Sequence, residues 1–198
     1  MKRKALLVAF AVALVAIISI GTFAYFTDVT EPKTNAFVAA GDEYKVNIDL
    51  AENAWDPQED HVIVPGAQFA KDPTITIREG TADAWVKFEA VITNAKGFNS
   101  VDELKAALIG LPEAADVEFD PAAGTGTITY IVPDKLTAAS PSATLFTSVK
   151  FDGSSIDSND VANLDGFTIE ITGYAIQADA FASAEAAFAA VTEFEQIA

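Results

Sequence analysis

The sequence predicts a mainly β fold, an antiparallel two-sheet sandwich of jelly-roll type, and three observations carry that expectation. Tyr44-Lys45-Val46-Asn47-Ile48-Asp49-Leu50 alternates strictly between apolar and polar residues, the pattern of a strand with one buried face. Further period-two stretches follow at 61–64, 74–78, 85–92, 117–119, 127–132, 145–151 and 167–171. Turn-formers stand between them, at Pro65-Gly66, Glu79-Gly80, Pro121 through Gly126, Asp152-Gly153 and Asp165-Gly166. Many short strands punctuated in this way favour a sandwich, because each strand buries one face against a second sheet.

Two helices interrupt the pattern. Ser100-Val101-Asp102-Glu103 is a capping box, in which the Ser100 hydroxyl and the Glu103 carboxylate satisfy free backbone donors. Leu104, Ala107 and Leu108 form its apolar stripe, and Gly110-Leu111-Pro112 should stop it, which places a helix near 101–109. The second runs from Ser183 to about Phe194, Ala-rich with Phe188 and Val191 on one face, and should cover an edge or end of the sandwich. The whole of 42–198 reads as a single domain.

The N-terminal segment carries the address. Met1-Lys2-Arg3-Lys4 is basic, Ala5 to Ile20 is an unbroken apolar run, and small residues stand at Thr22 and Ala24, the layout of a secretory signal over 1–24. The expected cut lies between Ala24 and Tyr25. The alternative is an uncleaved anchor, since 5–24 matches the roughly 20 apolar residues that span a hydrocarbon core. Asp28 and Glu31 follow, in keeping with a translocated flank, so under both readings the body lies outside the membrane, secreted or at the cell surface.

Three of the 12 Lys and Arg residues precede the expected cut, leaving nine against 29 Asp and Glu and a net charge of −20. With no basic stripe to neutralise phosphates, nucleic acid is a poor partner, and anionic lipid equally so. The acidity reads first as a solvated, self-repelling surface. The chain has no cysteine, so its stability rests on a packed core.

Residues 25–41 show no sustained period but hold apolar Phe26, Val29 and Phe37 beside Tyr25, which reads as an extended N-terminal arm. Gly21-Thr22-Phe23-Ala24-Tyr25-Phe26-Thr27-Asp28 and then Asn35-Ala36-Phe37-Val38-Ala39-Ala40-Gly41 lead into the first strand. Val64-Pro65-Gly66, Lys71-Asp72-Pro73, Ala82-Asp83-Ala84-Trp85-Val86 and Gly173-Tyr174-Ala175-Ile176-Gln177-Ala178-Asp179 follow in order. Together they resemble the TasA/camelysin family of exported proteins, whose signals are cut by a dedicated signal peptidase. The resemblance implies a jelly-roll subunit of extracellular fibres, in biofilm matrix or on the cell surface. It also implies self-association in which an N-terminal arm, here Tyr25 to Val38, adds a strand to the next subunit. For an isolated chain the alternative is that the arm folds back on its own domain.

Camelysin-like proteins are described as metallopeptidases, yet the residues give that reading little. His61 is the sole histidine, so a HExxH pair cannot form, and it reads as a strand-edge residue before Val62-Ile63-Val64. Nucleophilic triads lack both cysteine and a nucleophile elbow, so no catalytic residue is assigned. The loop Asp152-Gly153-Ser154-Ser155-Ile156-Asp157-Ser158-Asn159-Asp160 is oxygen-rich, with Asp152, Asp157 and Asp160 as calcium candidates, but departs from the EF-hand spacing. A plain solvated hairpin loop is the simpler expectation. Trp85 should pack in a strand, while Trp55 beside Asp56-Pro57 is placed in a loop, where an aromatic could bind carbohydrate or a partner.

The expected function is therefore a non-enzymatic exported structural subunit without a cofactor. A monomeric surface adhesin or ligand-binding module is the alternative, and a secreted peptidase a third.

Overall fold

The structure is a computed structural model that describes residues 27–30 and 46–191. Its strands are β1 (Thr27–Thr30), β2 (Ile48–Glu52), β3 (Gln68–Ala70), β4 (Pro73–Ile77), β5 (Ala84–Thr93), β6 (Leu108–Ile109), β7 (Asp116–Asp120), β8 (Thr125–Ile131), β9 (Ser142–Thr144), β10 (Ser148–Lys150) and β11 (Thr168–Gln177). The helices are α1 (Val101–Ala107), α2 (Ser158–Ala162) and α3 (Ala184–Ala190), with a 3-10 turn at Ala178–Ala180. All strand pairs are antiparallel.

One layer is a five-stranded sheet in the order β1-β11-β5-β8-β7. The facing strands fall into two three-stranded sheets, β3-β10-β6 and β2-β4-β9, so the second layer is divided where one continuous sheet was expected. Alternation sets the core. Ala84, Val86, Phe88, Ala90 and Ile92 of β5 are all buried and share one cluster with Ile48, Ile75, Ile128, Leu145, Phe151 and Ile171 from both layers. The chain is a mainly β, antiparallel sandwich with short helices.

The division has a local cause. The stretch 145–151, expected as one strand, contains Leu145 and Phe146, adjacent and both fully buried, which no single-faced strand allows. Here the chain crosses between the two small sheets: Leu145 donates to Pro73 O (2.9 Å) and Thr147 to Ile109 O (2.8 Å). The result is β9 before the corner and β10 after it.

The segment 61–64 keeps a period-two exposure but forms no strand. Val62 and Val64 are exposed, and Gly66, at φ 88°, turns the chain so that its N–H bonds Phe151 O (2.6 Å) instead of continuing a ladder. His61 is therefore a loop residue, a correction to the strand-edge expectation. Of the strand expected at 44–50, residues 44–45 lie outside the described residues. Val46, Ile48 and Leu50 alternate inward as anticipated, with the ladder beginning at Ile48.

The helix caps follow the sequence. Ser100 Oγ accepts from Glu103 N–H (3.2 Å), although the Glu103 carboxylate reaches Asn99 N–H (2.7 Å) and not Ser100. Ser183 Oγ caps α3 through Ala186 N–H (3.2 Å). Ala187 and Val191 then pack with Ile176, Trp85, Phe181 and Phe188 on the outer face of the five-stranded sheet, at the end of β5 and β11. Residues beyond Val191 of the expected second helix lie outside the described residues.

Candidate functional site

The functional geometry gathers along β11. On one side β11 pairs with β5 over its full length, Thr168 opposite Thr93 through Gln177 opposite Ala84. On the other, β1 covers only Gly173 to Ile176. Among the described residues, 168–172 have no ladder partner on that side.

Which backbone groups face this side of β11 follows from the register. Ala178 donates to Asp83 O (2.8 Å) across the continuation of the β11–β5 pairing, so even-numbered β11 residues point their N–H and C=O towards β5. Val132 N–H to Val86 O (3.0 Å) fixes the complementary parity on β5. Odd-numbered β11 residues therefore point the other way. Ala175 and Gly173 meet Asp28 and Thr30 of β1, whereas Ile171 and Ile169 turn their N–H and C=O groups to the same side, where no described residue forms a ladder with them.

β2 lies against both β1 and β11, so β1 sits in the seam between the two layers. Leu50, Ala51 and Glu52 on one wall and 168–171 on the other line a cleft of about 640 Å³ between the two layers. Trp55, Lys71, Thr168 and Ile169 also line an adjoining cavity of about 250 Å³, closed by His61, Phe69, Phe151 and Phe167.

Lys71 organises this end. It is nearly buried, donates to Glu52 Oε1 at 2.6 Å, and lies 5.0 Å from the centre of the Trp55 ring. The His61 ring stacks on Trp55 with centroids 3.7 Å apart and meets Phe69 edge-on at 5.3 Å. Asp72 Oδ1 accepts from Ala54 N–H (2.7 Å), which ties the Trp55 loop to the turn before β4. An aromatic wall, a partly buried ion pair and two backbone positions with no ladder partner among the described residues suit recognition of an extended chain. The sequence shows Lys71 only as part of a motif, because its partners Glu52 and Trp55 are brought to it by the β2–β4 pairing.

The remaining expected residues fall as follows. The cleavage pair Ala24 and Tyr25, and the arm residues Phe26 and Phe37, lie outside the described residues; Val29 is in β1, opposite Tyr174. Trp55 is in a loop as expected, but His61 stacks on it and the Lys71 ammonium approaches its ring. Trp85 is in β5, its indole N–H towards Phe181 O (3.4 Å).

The loop at 152–160 is not a plain hairpin connection, because it starts α2. Asp157 Oδ1 accepts from the N–H groups of Asn159 (2.6 Å) and Asp160 (3.1 Å), and Asp160 Oδ2 accepts from Asp157 N–H (2.9 Å). The amides of Asp160 and Asn159 hold the Asp157 carboxyl below the usual carboxylate range. Asp152 is lowered in the same direction by the Ser154 amide. These calcium candidates thus act on backbone donors, and among the described residues no group of three or more His, Asp or Glu side chains is placed to hold a metal ion. No protein-family profile, curated protein or solved structure matches the chain.

Proposed function

We propose that the chain is an exported structural subunit that assembles by exchanging its N-terminal arm with a second copy, as its resemblance to the TasA/camelysin family implies. The observation that carries this reading is the seat of β1. A four-residue strand, separated by 17 residues from β2, occupies an edge of the main sheet, and an identical strand from another copy could make the same bonds. Exchange of an identical element needs no new complementary surface. Export through the N-terminal signal, with a signal peptidase freeing Tyr25, would give the arm its reach, and a biofilm matrix or cell surface is the setting.

The opposite edge supports growth in one direction. β7 ends the sheet with Asp116, Glu118 and Asp120 all exposed, and like charges along an edge oppose direct pairing of two such edges. A second reading, a monomeric surface adhesin or ligand-binding module, draws on the aromatic cleft at Trp55. A camelysin-like peptidase is a third reading, with no comparable constellation among the described residues.

Electron microscopy of the exported chain, with its N-terminal residue determined, tests the first reading. Fibres are expected under concentrated or seeded conditions and should disappear when 25–38 are removed. Persistent monomers under all these conditions would reject assembly and favour the adhesin.

A further inference from the structure

The cavity of about 250 Å³ beside Lys71 differs in composition from the rest of this acidic chain. The sequence holds 29 Asp and Glu, yet the described residues that line the cavity include neither. They do include the sole histidine, His61, and Lys71, the one basic residue that is buried among the described residues. Most of the remaining wall is aromatic or aliphatic. Of the three N–H groups of the Lys71 ammonium, one goes to Glu52 Oε1. Glu52 lines the neighbouring cleft and not this cavity, whereas Lys71 lines both. Among the described residues, neither the other two ammonium N–H groups, nor the Trp55 indole N–H, nor the His61 imidazole has a hydrogen-bond partner. The lining therefore offers a positive centre and spare donors in an apolar setting, where a charged acceptor gains most.

We propose that this cavity binds a small carboxylate with a single aromatic or branched apolar body, its head at Lys71 and its body against Phe69, Phe151 and Phe167. Size limits the body. A cavity of roughly 150 Å³ suffices for benzene, and drug-sized ligands take roughly 300–1,000 Å³, so about 250 Å³ holds one ring and a short acid arm. Charge limits the head. An amine of the same shape meets no carboxylate in the lining and is repelled by Lys71, while a neutral alcohol forgoes the charge-assisted bond. The inference rests on the ligand-binding reading of the Trp55 cleft, to which it gives a ligand class, and does not depend on arm exchange.

Three probes of one shape separate these contributions: 3-phenylpropionate, 3-phenylpropanol and 3-phenylpropylamine, each titrated into the exported chain at neutral pH by calorimetry. The acid should bind about tenfold or more tighter than the alcohol, and the amine should bind least. In a Trp85→Phe chain, where Trp55 is the remaining tryptophan, the acid should also change the fluorescence. Acetate, which has the head without the body, should not compete even in large excess; full competition by acetate would mean a simple anion site and overturn the proposal. Equal affinity for all three probes overturns the carboxylate assignment and leaves an apolar ligand site. No binding by any of them at millimolar concentration overturns the ligand-binding reading as well.

A second measurement uses the Lys71→Met, Glu52→Leu double variant, which removes the ion pair and keeps the wall apolar. Its affinity for the alcohol should stay within about twofold of the parent's, and its preference for the acid should vanish. A preference for the acid that survives in the folded double variant refutes the place given to Lys71.

Discussion

The imidazole of His61 lies flat on the indole of Trp55, ring centroids 3.7 Å apart and planes 13° apart. The stack holds the loop after β2 over the aromatic cavity. An aromatic pair adds about 0.5–1.5 kcal/mol beyond the area it buries. His61→Ala should therefore lower stability by about 1 kcal/mol, and His61→Phe should restore most of it. Chemical denaturation of both variants checks this; equal loss in the two would show that the ring's shape is not what matters.

Lys71 and Glu52 form an ion pair with side-chain exposures of 10% and 27%, at the mouth of the same cavity. Breaking a fully buried pair from one side costs about 3–5 kcal/mol, and the water left to Glu52 reduces that. Lys71→Met is expected to cost about 2 kcal/mol. Adding Glu52→Leu to it should recover part of the loss, because the orphaned carboxylate is then gone. A double variant less stable than Lys71→Met contradicts the account.

The three exposed carboxylates of β7 should act as an edge guard. Replacing Asp116, Glu118 and Asp120 together by threonine keeps β propensity and removes the repulsion. Disordered aggregation, followed by light scattering, should rise, and it should remain when 25–38 are deleted. Aggregation that needs the arm would place its cause elsewhere.

Asp157 gives a pH signature. Its folded carboxyl is held below the ordinary value of 3.8 by the Asp160 and Asn159 amides, so its stabilisation is present above that value and is lost as pH falls through the lowered folded one. Asp157→Ala should melt lower than the parent at pH 7, and the gap should close in acid below the usual carboxylate range. Capping predicts the same gap with and without calcium. A gap that appears only with calcium would assign the loop to the cation instead.

Gly97 marks the dock for α2. A Cβ built there would collide with Asp160 O and stand 2.5 Å from Leu164 Cγ, both too close to accept without movement. Gly97→Ala should cost about 1–3 kcal/mol by overpacking. Amide exchange in 157–164 should rise before that in β5 does, which separates a displaced helix from general unfolding.

How far the sequence reached depended on how local each cause was. Strict alternation placed β4, β5, β7 and β8 within a few residues, because side-chain period and turn residues are local properties. Ser100 and Ser183 marked two helix starts for the same reason. From sequence Asp157 reads as an oxygen ligand and not as a cap, since α2 has no buried residue and so no apolar stripe to announce it. The short strands β3, β6 and β9 offer too few residues for any period to register.

By itself, then, the sequence determined a β-rich chain of alternating strands, its main helix starts, its acidity and an N-terminal segment of secretory layout. It also placed a proline two residues beyond what became β1. Only the tertiary structure decided that Leu145 and Phe146 would form a corner between two small sheets, and that Lys71 would meet both Glu52 and Trp55. Each of these depends on which strand lies beside which and in what register, a choice made by burial summed over the whole core and written in no single stretch of the chain.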